Sequence, residues 1–170
     1  VHGDWARVDE NGAWYLLGRS DDTIKVAGKR LGPTEVEAAA LTHPAVSEAA
    51  ACGVPDALKG EAIAIVAVPS DRTLANDELR RAMLAEEVAA AVARVLGKAL
   101  RPDLVVVVPD LPKTRSGKVM RRVIRAVLAG EAELGDLSGL DSPGPIDRLR
   151  EALRGARPPT GSTEESVHTR

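Results

Sequence analysis

Two apolar runs, Val46 to Val54 and Glu61 to Val68, are separated by the turn-forming stretch Pro55-Asp56-Ala57-Leu58-Lys59-Gly60, and this arrangement constrains the fold more than any other part of the chain. Such runs read as strands, and so short a connection makes them neighbours in one sheet. Helical patterns stand on either side. Pro33 suits a first helical turn, Glu35 and Glu37 favour the positive end of that helix, and Val36, Ala39 and Ala40 recur at helical spacing until His43-Pro44 stops it. Asn76 is the expected cap of the longest helix, with Asp77 and Glu78 in its first turn and Gly97 at its end. Leu79, Met83, Val88, Val92, Val95 and Leu96 are its expected apolar face. Leu104 to Val108, bounded by Pro102 and Pro109, reads as a buried strand. Val119 to Ala129 reads as a helix with Val119, Val123, Ile124, Val127 and Leu128 on one side and Arg121, Arg122 and Arg125 near the other.

Ahead of this block, Ala6 to Val8 and Trp14 to Leu17 are β-prone around Asp9-Glu10-Asn11-Gly12, where Asn-Gly supplies the positive φ values of a tight reversal. A hairpin is expected there. Gly18-Arg19-Ser20-Asp21-Asp22 is polar and without periodicity, a loop or a hinge, and Thr23 to Val26 resumes the β pattern. Beyond Gly130 the pattern weakens. Leu134 to Leu140 is punctuated by Gly and Ser, Pro145 to Leu153 predicts a short helix, and the polar, Pro-containing stretch from Gly155 to Arg170 predicts disorder. The fold class is α+β: a small mixed sheet packed with helices, preceded by a β-hairpin.

A length of 170 residues suits one domain with a real core plus tails. With 23 basic and 25 acidic residues the net charge is −2, so no broad attraction to nucleic acid or to a membrane surface is indicated, and partners are to be sought in local clusters. Cys52 is the single cysteine and closes no internal disulfide; it reads as a small buried apolar residue. His2, His43 and His168 lie too far apart for a local metal-ligand pattern, and no metal site is expected. No apolar run reaches the roughly 18 residues that span a bilayer, and no basic-then-apolar leader opens the chain; a cytoplasmic location is the expectation.

Chemistry concentrates in Lys113-Thr114-Arg115-Ser116-Gly117-Lys118, which sets three cations around a Ser-Gly pair just before a helical pattern. A helix start offers free N–H groups, and Gly117 lets the backbone bend or approach a ligand closely. The stretch matches a phosphate-binding loop only in part: Leu111 or Pro112 stands where Walker A has its first Gly, and Val119 follows the Lys. Spacing alone leaves two readings, a solvated basic turn or a phosphate contact. Arg19 and Arg30 flank a segment with two Asp and two Gly, and a guanidinium fork suits phosphate or ribose oxygens as well as a surface carboxylate. Asp4, after a glycine, reads either as a turn residue or as an acceptor for two ribose hydroxyls.

Taken together, His2-Gly3-Asp4, the run Tyr15 to Lys25, Gly28-Lys29-Arg30-Leu31-Gly32-Pro33-Thr34-Glu35-Val36-Glu37 and Leu111 to Lys118 resemble, in order and spacing, the adenylate-forming superfamily. The resemblance covers about residues 1 to 153, and Met120-Arg121-Arg122 with Leu134-Gly135-Asp136 leans toward its acetyl-CoA synthetase branch. It implies a C-terminal lid domain of an AMP-forming ligase that turns a small carboxylate and ATP into acyl-AMP and then passes the acyl group to CoA. Residues 1–20 then end a large adenylate-binding domain, 21–130 form the mobile lid, 131–154 a C-terminal extension with a short helix, and 155–170 a tail.

Carried over residue by residue, the resemblance makes Lys118 the adenylation lysine, Asp4 and Arg19 ribose contacts, Arg30 a phosphate contact, Asp21 the hinge, and Gly28 the small residue beside the pantetheine path. It implies ATP and CoA as ligands, with Mg2+ expected mainly in the large domain, and a lysine acyltransferase and deacylase acting on Lys118. Where acetyl-CoA synthetases can carry an arginine for the CoA phosphate this chain has Ala93, with Arg94 beside it. A large domain upstream of Val1 is expected, and with it an inactive chain in isolation. The competing expectation is a non-catalytic nucleotide-binding or regulatory module that keeps the lid fold.

Overall fold

The computed structural model describes the backbone of residues 4–8, 10, 12, 14–19 and 22–156, and side chains at 10, 12 and 22–156. The two opening strands, β1 (Asp4–Val8) and β2 (Trp14–Arg19), form an antiparallel ladder that brings Val8 opposite Trp14 and Asp4 opposite Arg19. The sequence placed Gly18 and Arg19 in a loop; they extend β2 because Asp4 and Trp5 continue the opposite strand and pair with them.

A second hairpin joins β3 (Ile24–Val26) to β4 (Lys29–Leu31) through Ala27 at φ 48° and Gly28 at φ 77°. Two consecutive positive φ values make the tight turn whose twist matches that of the flanking strands. The strand β4 was not foreseen in the sequence. Next come α1 (Pro33–Ala40) and the long antiparallel pair β5 (Val46–Asp56) and β6 (Gly60–Pro69). They are followed by α2 (Glu78–Leu96), β7 (Leu104–Val107), α3 (Arg121–Leu128) and α4 (Gly144–Gly155). The sheet runs β4-β3-β6-β5, with β7 added parallel to β6, so it is mixed as the sequence implied.

Helices cover both faces of this sheet. Ala62, Ala64, Val66 and Val68 of β6, with Ala50, Cys52 and Val54 of β5 and Leu104 and Val106 of β7, pack beneath α3 and α4. Ile63, Ile65 and Ala67 face the other way, joining Ile24, Val26 and Leu31 under α1 and α2. A central strand buried on both sides needs apolar residues at every position, which is why Ala62 to Val68 shows no alternation. Ile146, Leu149 and Ala152 of α4 lie in the same core as α3, so the C-terminal helix is integral to that face.

Three expectations need correction. The cap of α2 is Asp77, whose carboxylate accepts from Arg80 N–H at 3.1 Å, while Asn76 closes a short 3-10 turn over Arg72–Asn76. The face of α2 is carried by Leu84, Val88, Ala89, Ala91 and Val92; Leu79, Met83 and Val95 are 71%, 57% and 55% exposed. At 3.6 residues per turn Leu79 falls about 180° and Met83 about 140° from Val88, and alanines fill the positions that the larger residues were expected to take. Finally, α3 starts at Arg121 rather than Val119, because Val119 bridges to Lys113 and Met120 N–H donates to Pro112 O at 2.9 Å. Among the described residues no helix is long and apolar enough to cross a membrane.

Candidate functional site

The basic stretch between β7 and α3 folds into a closed turn. Thr114 N–H donates to Lys118 O and Gly117 N–H donates to Thr114 O, both at 2.8 Å, with Gly117 at φ 82°. A three-residue hairpin loop ends in a left-handed residue, and glycine takes that place without steric cost. Thr114 Oγ1 accepts from Lys118 N–H at 3.1 Å and lies 2.9 Å from Ser116 Oγ, so the backbone at Lys118 is held from two directions. The Lys118 side chain is exposed, and among the described residues no carboxylate pairs with its ammonium.

Most neighbouring cations are engaged. Lys113 pairs with Glu48. Arg121 makes a two-pronged contact with Glu37, Nε to Oε1 and Nη2 to Oε2 at 2.7 Å each, and Glu37 also accepts from Ala51 N–H at 2.9 Å. That carboxylate raises the Arg121 pKa above its ordinary value, mainly through the hydrogen bond and against the effect of burial. Arg125 donates from Nε to Gly53 O at 2.9 Å and from Nη2 to Glu61 Oε1 at 3.1 Å, while Glu61 Oε2 accepts from Lys25 N–H at 2.6 Å. Arg122 donates to Leu134 O and Asp136 O. The arginines that the sequence put on the polar side of α3 are therefore structural ties. Lys118 and Arg115 are left as the exposed cations of the turn without an ionic partner among the described residues.

Lys118 borders a groove of about 400 Å³ shared with Asp22 and Thr23 at the entry to β3, and with Cys52, Arg121 and Arg125. Cys52 is 5% exposed, as the sequence implied, and burial pushes its thiol up to about 12, with Glu61 and Glu37 adding to the shift and Arg125 opposing it. Only the thiolate is reactive. Alkylation of Cys52 by iodoacetamide at pH 8 is accordingly expected to run roughly 10³-fold slower in the folded chain than in denaturant. Similar rates in the two states, read by mass spectrometry, would contradict the burial.

The other candidates divide between two hairpins. Gly28 is the exposed tip of the β3–β4 turn, and Arg30, exposed on β4, stands opposite Lys25. Their hairpin packs through Ile24, Val26 and Leu31 on the α1–α2 face, whereas the Lys118 turn leads into α3 on the other. The backbone pairing sets Asp4 and Arg19 opposite each other at one end of β1–β2; their side chains, and the whole of Asp21, lie outside the described residues. Ala93 is half-buried and Arg94 exposed in the last turn of α2. Among the described residues no three His, Cys, Asp or Glu side chains converge as a metal site would require.

Sequence reasoning missed the carboxylate ties. Glu37, read as a charge favouring the helix start, is 7% exposed and bonded instead. Its place among Val36, Ala39 and Ala40 on an otherwise apolar face was the available signal.

Residues 35–118 match the AMP-binding enzyme C-terminal domain. The chain carries a domain of that family. The domain is acetyl-CoA synthetase-like: over 155 residues it is 43% identical to the acetyl-coenzyme A synthetase of Rubrobacter xylanophilus, covering 91% of this chain and 23% of that relative. It is also 43% identical over 151 residues to the 3-hydroxypropionyl-coenzyme A synthetase of Sulfurisphaera tokodaii, covering 89% of this chain and 22% of that one. ATP-bound MatB from Rhodopseudomonas palustris shares the fold with a TM-score of 0.65 at 31% identity, over 76% of this chain and 24% of that chain. The chain thus spans under a quarter of the length of each.

Proposed function

We propose that this domain is the mobile lid of an AMP-forming ligase for acetate or a related short-chain acid, and that Lys118 is its adenylating cation. The observation that carries the reading is Lys118 itself: its ammonium is exposed and without an ionic partner among the described residues, and its backbone N–H and C=O are both bonded to Thr114, while Lys113 and the α3 arginines are tied into the scaffold. In the first half-reaction a carboxylate oxygen attacks the α-phosphorus of ATP and the bond to pyrophosphate breaks, giving acyl-AMP. Negative charge gathers between the incoming carboxylate and the phosphoryl oxygens, and an ammonium delivered there stabilises the transition state more than the separated reactants.

In the second half-reaction the CoA sulfur attacks the acyl carbon and AMP leaves with the bonding electrons. That step needs the Lys118 turn withdrawn and another surface presented. The hairpin tipped by Gly28 packs through Ile24, Val26 and Leu31 on the α1–α2 side while the Lys118 turn leads into α3 on the other, which supports a rotation about Asp21 as the means of exchange. In this reading Asp4 and Arg19 hold the ribose and Arg30 a phosphate, and the nucleotide and acyl pockets belong to the larger part of the protein that the relatives' lengths indicate. Mg2+ finds no converging ligand set among the described residues, and its ligands would come mainly from the larger part of the protein. Acylation of Lys118 by a lysine acyltransferase would remove its charge and stop adenylation, and a deacylase would restore it.

The direct test is acetate-dependent exchange of labelled pyrophosphate into ATP by the complete protein, followed by CoA-dependent AMP release. Propionate and 3-hydroxypropionate serve as alternative acids. Exchange with at least one of the three is expected, and exchange with none of them refutes the reading.

A further inference from the structure

The turn that carries Lys118 has a third strand beside it. Arg115 N–H donates to Gly139 O at 3.2 Å, Asp141 N–H donates to Lys113 O at 3.0 Å, and Thr114 bridges to Leu140 in antiparallel register. The segment that does this, Leu134 to Asp141, belongs to no helix or strand of the sheet; Leu134 lies in the core beneath α3 and α4, and Leu140 packs against that core. Beyond these leucines, α3 holds it through Arg122. Arg122 donates from Nη1 to Leu134 O at 2.7 Å and from Nη2 to Asp136 O at 2.6 Å, gripping two carbonyls that flank Gly135. Gly135 has φ 70°, and a Cβ there would lie 2.0 Å from Arg122 Nη1, so the guanidinium occupies the space a side chain would need. Past that grip, Asp136 Oδ1 accepts from Ser138 N–H at 2.9 Å and Leu140 N–H donates to Leu137 O at 2.9 Å, turning the chain back toward the Lys118 turn.

From this closed circuit we infer that Arg122 is a positioning residue for Lys118, acting through the strap 134–141. Arg122 stands four residues after Lys118, yet its two side-chain hydrogen bonds among the described residues both go to the strap, and the strap in turn bonds both Lys113 and Arg115 within the turn. A hairpin loop with only its own two arms frays; a third strand fixes the direction in which the ammonium leaves the backbone. The inference rests on the adenylating role proposed for Lys118. For such a cation direction matters, because misplacement by about 1 Å costs on the order of 10²-fold in rate. Lysine at 122 keeps the charge but has no planar fork with which to span two carbonyls.

In the complete protein, Arg122→Ala is expected to lower the kcat of acetate-dependent pyrophosphate exchange by about 10- to 100-fold with KM for ATP nearly unchanged. Thioester formation from supplied acyl-AMP should stay within about twofold, and Arg122→Lys should not restore exchange. Amide hydrogen exchange at Arg115 and Asp141 should accelerate in the same variant. Should Arg122→Ala not fold, Asp141→Pro takes its place, since it removes the N–H that reaches Lys113 O while leaving Arg122 in place, and the same loss is expected of it. Equal loss of both half-reactions, full rescue by Arg122→Lys, or unchanged exchange would each overturn the inference. Lys118→Ala in the same assay separates the two levels. If it too leaves exchange intact, the adenylating role falls; if it abolishes exchange while Arg122→Ala does not, only the strap's role falls.

Discussion

Lys118→Ala in the complete protein is expected to slow carboxylate-dependent pyrophosphate exchange by roughly 10²- to 10³-fold, the size of effect that follows removal of one preorganised donor from a charge-building transition state. Thioester formation from supplied acyl-AMP should change by no more than a few-fold, because that step is assigned to the face bearing Gly28. The magnitude follows from what surrounds the ammonium. Were it held by a carboxylate in the lid, much of its field would be cancelled and reaching the nucleotide would first require breaking that pair. Among the described residues it is free of such a partner, and the turn beneath it is already closed by bonds from Thr114 and Gly117. Lys118→Arg should recover only part of the loss, since the bulkier planar guanidinium cannot place its charge where a compact ammonium does. Measuring both half-reactions on one preparation decides the matter: equal loss of the two would refute the division of labour between the faces.

The parts of this domain that the sequence revealed are those governed by local rules. Apolar runs of strand length gave β5, β6 and β7, a proline start and a glycine stop gave the reach of α1 and α2, and the Lys118 turn was legible as basic, glycine-hinged and exposed. What escaped depended on partners far along the chain. Gly18 and Arg19 become strand only because Asp4 and Trp5 lie opposite. The polarity of Arg121, Arg122 and Arg125 suggested a solvated face, whereas their partners come from α1, from β5 and β6, and from the strap. The strap fits neither a helical nor a strand period, since its order comes from Arg122, from the edge of the turn and from Leu134 and Leu140 set against the core. Alanine misled as well: Ala89 and Ala91 bury the side of α2 that Leu79 and Met83 were expected to cover.

The lid role proposed for the domain requires it to rotate as one body, and Glu37 is the group that ties the two layers around the sheet edge. The strand β5 ends the sheet, leaving outward-facing backbone groups that need cover. Glu37, reaching from α1 on one face, accepts the Ala51 N–H of that edge and grips Arg121, which opens α3 on the other face three residues after Lys118. With side-chain exposures of 10% for Glu37 and 25% for Arg121, the pair is largely shielded from solvent. Glu37→Ala would leave a mostly buried guanidinium without its counter-charge and an edge N–H without an acceptor. After allowance for the partial exposure of Arg121, a loss of about 3 kcal/mol is expected. In a chain of this size that lowers the melting temperature by about 10 °C. Glu37→Gln retains an acceptor for Ala51 and one contact to Arg121, so it should lose roughly half as much. If the cost is that of stranding a charge, then Arg121→Met combined with Glu37→Leu should be milder than Glu37→Ala, because two apolar partners remove the unpaired guanidinium. Urea denaturation of all three variants reads this directly, and a loss below about 1 kcal/mol for Glu37→Ala would show that α1 and α3 are coupled through the hydrophobic layers alone.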